Sequence, residues 1–402
     1  MSARRPAGVS ARRPAGVSAR HPAGVSAEEP IPLARPVLGT VEEERVLAVL
    51  RSRRLALGPL LPEFEEAFAA RVGAAHASAV SSGTAGLHLA LRAVGVSDGD
   101  EVITSAFSFV ASANVALYER ARPVFADIDP VTLNISPEAA AAAVTSRTAA
   151  ILPVHVFGYP ADIPALERLG LPIVEDACEA LGAVRADGKP VGTGRDHPAV
   201  FGFYPNKQLT TGEGGMVTTA DPVFKERVDS ERNQGRAPDM GWLDHDRLGF
   251  NYRLSDVACA LGLAQLSHLD AMLSARTQVA QWYRDALGGI ESLVLPCEDA
   301  GGARRGWFVY VVQLPRGFDR DGTVRALAER GVPSKPYFPA IHLMSFYRER
   351  FGHHEGEFPV CEDVASRSIS LPFFPEMTEG QVTRVAEALG EVIRRAPAIT
   401  RP

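Results

Sequence analysis

From Ile31 onward the chain alternates short strand-like runs with helical patterns, and nothing else in the sequence constrains its fold as tightly. Apolar runs stand at 101–104, 123–126, 150–154, 172–175, 199–203 and 216–219, separated by longer stretches. Parallel strands need such crossovers, usually helical ones. The order therefore predicts an α/β fold: a three-layer α/β/α large domain around a mainly parallel mixed sheet. Helices are expected at 41–52 and 62–72, the second with Phe64 and Phe68 one turn apart. In SSGTAGLHLALRAVG, Ser81 to Thr84 read as a capping loop. Leu87, Ala90, Leu91 and Val94 then recur at helical spacing. One long helix is expected over 255–287, a strand over 306–314, a helix over 323–330 and a closing helix over 379–395. The domain organisation read from this is a large domain at 29–289 and a smaller α+β C-terminal domain at 290–402.

Residues 2–25 stand apart. They are three eight-residue units, SARRPAGV, SARRPAGV and SARHPAGV, with Pro and Gly in each and no apolar period. Such a segment cannot bury enough to offset its ordering entropy, so 1–28 is expected to be a disordered tail. It has no apolar centre and is not a secretory leader. A tolerated terminal expansion, an organelle-targeting segment and a nucleic-acid tether are the readings left open for it. Over the whole chain the formal charge is −6, which argues against a general nucleic-acid or anionic-membrane partner. No stretch reads as a membrane span. The cysteines Cys178, Cys259, Cys297 and Cys361 are far apart, without a CxxC pair, which fits a reducing, cytoplasmic setting and leaves no thiolate zinc site. No His/Cys/Asp/Glu grouping has metal-ligand spacing, so no metal is expected.

The basic residues divide unevenly: 38 are Arg and four are Lys, namely Lys189, Lys207, Lys225 and Lys335. A guanidinium stays protonated and cannot act as an amine nucleophile. Amine chemistry, if present, rests on one of four residues. Lys207 follows an aromatic strand and a Pro in FGFYPNKQLTTGEGG, at a strand end of the kind where α/β sheets bind ligands. Apolar surroundings disfavour an ammonium ion there and free the amine as a nucleophile. A solvated Lys in a hairpin turn is the other reading. In PIVEDACEALGA, Asp176 ends a strand; it can bond a protonated ring nitrogen or cap a helix. Gly83, Thr84 and Ala85 open a helix whose free N–H groups suit a phosphate, or are merely capped. The spacing is neither a P-loop nor GxGxxG. In NYRLSD, Ser255 or Asp256 can cap the next helix and Arg253 can reach an anion. His155 in PVHVFG reads as a packed strand-end histidine.

Six segments in order, SGTAGLHLAL, SFVASANVAL, PVHVFGYPAD, VEDACEALGA, FYPNKQLTTGEGG and NYRLSDVACALGLAQL, resemble the DegT/StrS-type nucleotide-sugar aminotransferases, which have the aspartate aminotransferase fold (fold type I). The resemblance covers everything but the tail. It implies pyridoxal 5'-phosphate as cofactor, with Lys207 as the Schiff-base lysine and Asp176 as the carboxylate that keeps the pyridine nitrogen protonated. Lys207 also favours transamination over the dehydratases of the same family, which carry His there. Gly83, Thr84 and Ala85 match the phosphate-binding turn, and Phe109 an aromatic that stacks on the ring. Asn251 matches a residue sent to the partner subunit's phosphate, implying a homodimer with composite sites. Tyr337 and His342, in KPYFPAIHL, lie in the segment that approaches the substrate. Two positions depart from the family. Gly202 stands where Ser often bonds the phosphate. Glu179 stands where Gln or His is usual, so it either meets the cofactor oxygen as a neutral acid or binds substrate. The implied reaction takes an amino group from Glu or Gln to a keto-sugar in nucleotide-activated form, in making amino sugars of secondary metabolites such as antibiotics or of surface glycans. A keto-cyclitol acceptor, another pyridoxal phosphate reaction and a non-catalytic regulator are the alternatives.

Overall fold

The computed structural model describes residues 30–237 and 244–395. The tail expectation, 1–28, lies outside the described residues.

Seven strands build the main sheet: β1 (His76–Val80), β2 (Glu101–Ser105), β3 (Arg122–Ala126), β4 (Thr148–Leu152), β5 (Glu175–Asp176), β6 (Ala199–Gly202) and β7 (Gly215–Thr219). β2 pairs in parallel with β3 and β4, and β5 in parallel with β6. Parallel bridges Ile151–Ile173 and Val154–Asp176 join the two ladders. β7 then runs antiparallel between β6 and β1. The spatial order is β3-β2-β4-β5-β6-β7-β1, with β7 alone reversed.

Strand alternation sorts the side chains onto two faces. Val80, Val200 and Val217 pack with Leu87, Leu89 and Leu91 of the helix Gly83–Ala93. Their chain neighbours Ala79, Phe201 and Met216 pack instead with Phe64 and Phe68 of the helix Leu60–Val72. Each strand residue therefore meets a different helical layer from the one before it, which is the expected three-layer sandwich.

A second, antiparallel sheet lies toward the C-terminus, formed by β8 (Tyr310–Gln313), β9 (Lys335–Pro336) and β10 (Ser368–Leu371) in the order β8-β10-β9. It packs under the helices Arg320–Glu329 and Glu379–Arg395, through Leu327, Val382, Val385 and Leu389. Val279, Ala280, Tyr283 and Leu287 of the preceding helix join this core. Phe338, Ala340 and Ile341 pack the other way, into the core of the main sheet.

Three expectations change in the structure. The single helix over 255–287 is two, Asp256–Ser267 and Leu269–Leu287, bent by 64°. His268 takes φ −128°, ψ 18° at the break, and its ring meets Glu42 at 3.1 Å. No Gly or Pro marks the bend, so periodicity ran straight through it. The strand over 306–314 shortens to Tyr310–Gln313 because Gly306 N–H bonds Gly158 C=O instead of a ladder. The run 172–175 contributes only Glu175–Asp176 as a strand. No single helix among the described residues is long and apolar enough to cross a membrane.

The helix Gly83–Ala93 lies flush on the sheet. A Cβ on Gly86 would stand 2.7 Å from Val200 Cγ1, 3.2 Å from Val217 Cγ2 and 3.3 Å from Val80 Cγ2. Overpacking a filled core costs about 1–3 kcal/mol. Gly86→Val is therefore expected to lose about that much stability, read as a lower urea midpoint with unchanged slope.

Candidate active site

Two loops and two strand ends converge on a cavity of about 510 Å³. β5 delivers Asp176 at its last residue, and the chain then turns through Cys178 and Glu179. β6 ends at Gly202, and a turn closed by Lys207 N–H to Tyr204 C=O (2.9 Å) presents Lys207. Ser82, Gly83 and Thr84 start the helix that follows β1. Phe109 lies between β2 and the helix Ala111–Tyr118, and Tyr337 enters from β9. These elements share one wall because β5, β6 and β1 all end at the same edge of a largely parallel sheet.

Small residues let the pieces meet. A Cβ on Gly83 would be 2.7 Å from Cys178 Sγ, and one on Gly202 would be 3.3 Å from the same sulfur. A Cβ on Gly215 would be 2.7 Å from the Ser82 carbonyl carbon. Ser82 caps the helix by accepting the Ala85 N–H at 3.0 Å. The first-turn N–H groups have no intrahelical acceptor and carry the positive end of the helix dipole. Of the predicted turn, Gly83 and Thr84 line the cavity. Ala85 does not, because its N–H is already committed to the cap and its side chain is buried.

The cavity is acidic around one amine. Asp176 Oδ1 accepts the Cys178 N–H at 3.1 Å, and its backbone is fixed on both sides by Pro153 C=O and His155 N–H. Burial pushes its carboxyl above the usual range. Glu179 Oε2 accepts the Phe157 N–H at 2.9 Å, while Oε1 lies 3.5 Å from Lys207 Nζ. Burial raises this carboxyl too, against the nearby lysine charge. Lys207 Nζ lies 3.9 Å from the centre of the Phe308 ring. The Lys207 carbonyl accepts from Arg276 Nη2 at 3.1 Å, and Arg276 Nη1 donates to Phe308 C=O at 3.0 Å. That buried guanidinium ties the lysine turn to the segment beneath it. Burial lowers it to about 10.

Phe109 is 60% exposed at the cavity mouth, with its carbonyl held by the Ser108 and Ser112 hydroxyls. Tyr337 stacks on Phe338 and stays protonated well above its ordinary range because it is buried. His342 does not reach the cavity. It is fully buried, its Nε2 meets Glu362 at 3.1 Å, and its ring packs on Phe358. The apolar stripe that carries Ile341 inward carries His342 with it. Asn251 also lies away from this cavity, exposed and bridged to Asn233. His155 is buried, donates from Nε2 toward Glu175 (3.0 Å) and accepts the Ala161 N–H at Nδ1 (2.9 Å). Among the described residues no group of three His, Cys, Asp or Glu side chains could hold a metal ion.

Sequence reasoning read Ser82 as part of the capping loop but missed Cys178 and Asn206, which line the cavity, and Arg276. Arg276 had a legible signal: it falls on the stripe Leu269, Met272, Val279, Tyr283 and Leu287, where a charge is out of place. Cys178 and Asn206 had none, since only the fold brings their neighbours to them.

The chain's residues 36–390 match the DegT/DnrJ/EryC1/StrS aminotransferase family. The spore coat polysaccharide biosynthesis protein SpsC of Bacillus subtilis is 36% identical over 383 residues, covering 91% of this chain and 98% of that protein. The sugar aminotransferase CalS13 of Micromonospora echinospora is similar in structure, with TM-score 0.82 and 29% identity, covering 90% of this chain and 99% of that one. The synthase of 3-amino-5-hydroxybenzoic acid is similar at TM-score 0.85 and 32% identity, covering 91% and 99%.

The raised carboxyl of Asp176 has a consequence for folding. In the native state it keeps a proton that the unfolded chain has already released, so stability falls as the pH rises through the native value. Asp176→Asn keeps an acceptor for the Cys178 N–H and removes the buried charge. Without cofactor this variant is expected to be more stable than the parent at pH 8 and nearly equal at pH 4. Urea titrations at the two pH values check this, and a deficit at pH 8 would contradict it.

Proposed function

The chain belongs to the DegT/DnrJ/EryC1/StrS aminotransferase family, whose members use pyridoxal phosphate, and from that premise we propose that it transfers an amino group from glutamate or glutamine to the carbonyl of a keto-sugar, in nucleotide-activated form. One observation carries this reading: an amine, a buried carboxylate and a helix N-terminus open into one cavity with an exposed aromatic at its mouth. The likeness to SpsC and to CalS13 supports a sugar as the acceptor.

The residues fit the cofactor. The Gly83, Gly202 and Gly215 backbones approach so closely that a Cβ on Gly83 or Gly215 would clash, which brings the helix start and its unpaired first-turn N–H groups to the cavity wall, a setting suited to a phosphate. Asp176, which forms no salt bridge among the described residues and is held above its ordinary range by burial, suits the cationic partner that a protonated ring nitrogen would be. Pyridoxal phosphate, when bound, supplies an aldehyde that captures amines and a ring that accepts the electrons left when a proton departs.

Within that frame each side chain has a task. Gly83 and Thr84 bind the phosphate through the first-turn N–H groups, with the Thr84 hydroxyl beside them. Gly202 adds only backbone to this subsite, and a Cβ there would press on the Cys178 sulfur at 3.3 Å. Phe109, exposed at the cavity mouth, would shield the bound ring from water. Asp176 would hold a proton on the ring nitrogen through a charge-assisted bond. Lys207 Nζ would be the amine that binds the cofactor and, when free, the base that moves a proton from the α-carbon of the donor and the acid that returns one on the acceptor side. Tyr337 orients the acceptor, and Asn251 serves the cavity of a second copy in a homodimer.

The test combines spectra and products. The purified parent is expected to show a visible band abolished by borohydride, with the adduct mapped to Lys207, and Lys207→Ala is expected to lack both. Asp176→Asn is expected to retain the band and lose about 10²-fold or more in turnover, since an adjacent anion shifts a proton affinity by about 1–3 units. A panel of nucleotide keto-sugars and keto-cyclitols with glutamate or glutamine reads out the acceptor by mass. A Lys207→Ala protein with an unchanged spectrum would end this account.

A further inference from the structure

Glu179 is held at one carboxylate oxygen and at its carbonyl. One carboxylate oxygen accepts the Phe157 N–H at 2.9 Å, and its peptide carbonyl accepts Gln208 Nε2 at 2.6 Å. Phe157 holds φ 52°, a left-handed conformation that costs a bulky residue about 1–3 kcal/mol unless its surroundings enforce it. At Gly158, next to it, a Cβ would fall 1.9 Å from Gly306 O, so the turn has no room to shift. The carboxylate therefore has one free direction, and Lys207 Nζ stands in it at 3.5 Å. A neutral amide would satisfy the Phe157 N–H equally well. What a glutamate adds is charge. Of the other titratable groups facing it, Asp176 is a second acid, and the Cys178 thiol and the Tyr337 phenol are both kept neutral by burial. The cation it faces is Lys207.

We propose that Glu179 is a positioning residue for Lys207: its free oxygen pairs with the unlinked ammonium and holds that amine over the Phe308 ring, at the place from which it must act. This assigns Glu179 to the lysine rather than to the cofactor oxygen or the substrate. It rests on Lys207 being the reactive amine and adds how that amine is aimed whenever it is free. The pairing engages the amine with a carboxylate oxygen, so removing that acceptor leaves the amine free to meet reagents.

The test uses the full chain freed of cofactor and a brief pulse of acetic anhydride, which labels uncharged amines. The peptide holding Lys207 is quantified by mass spectrometry against the one holding exposed Lys335. Glu179→Gln is expected to speed labelling of Lys207 about tenfold at pH 7, with Lys335 unchanged. An unchanged or slower rate overturns the pairing. A second measurement does not depend on reagent access. Lys207→Met strips the partner from Glu179, so its stability loss is expected to be larger at pH 8 than at pH 5, and this difference is expected to shrink in the Glu179→Gln background to the part that comes from Asp176, which also feels the Lys207 charge. Equal pH dependence in both backgrounds overturns the proposal. Failure of the functional reading looks different: cofactor and borohydride would then leave no adduct on Lys207 in the parent, whatever the labelling rates.

Discussion

Close approach of backbone to backbone at the start of the helix Gly83–Ala93 is the constraint on which the rest depends. Gly86 lets that helix rest on Val80, Val200 and Val217, and Gly83, Gly202 and Gly215 let its first turn touch the ends of β6 and β7. A side chain at Gly83, Gly86 or Gly215 would stand 2.7 Å from its neighbours and push the helix off this seat. The first-turn N–H groups would then no longer share a wall with Asp176 and Lys207. Packing density in the core thus sets the geometry of the cavity directly, with no hinge or loop between them.

Electrostatics inside the cavity follows from that packing. Two carboxylates, Asp176 and Glu179, are carried below the surface by β5 and the turn after it, where desolvation raises both. They differ in what they lack. Glu179 has the amine of Lys207 within 3.5 Å, whereas Asp176 takes its hydrogen bonds from the backbone and thiol of Cys178 and feels the Lys207 charge only at longer range. An environment that strains a buried acid in the empty protein is one that favours a cationic ligand atom. Arg276 acts from behind. It holds the carbonyl of Lys207 and that of Phe308 together, so the amine and the ring beneath it move as one piece.

Much of this was legible in the residues themselves. The alternation of apolar runs gave the parallel sheet, because a period of two and crossovers of a dozen residues admit few other folds. Lys207, Asp176, Gly83 and Thr84 were legible since each stands at a strand end or helix start, and those ends gather at one edge. The errors have definite causes. His342 shares a short segment with Tyr337, but Ile341 and Phe338 anchor that segment in the core, and His342 goes in with them. Ala85 was counted with a turn whose cap uses its N–H. The bend at His268 arises from a contact with Glu42, more than two hundred residues away, which no local pattern carries.

The sequence by itself determined which elements form, that one of only four amines follows a strand end, and which family the chain resembles, because periodicity, turn chemistry and residue type are local properties. Tertiary structure alone decided what each of those residues faces. It put the Glu179 carboxylate beside Lys207, the Cys178 sulfur in the gap at Gly202, and His342 in the core. Distances across a fold depend on how whole layers pack, and that information is spread over many residues, none of which records it alone.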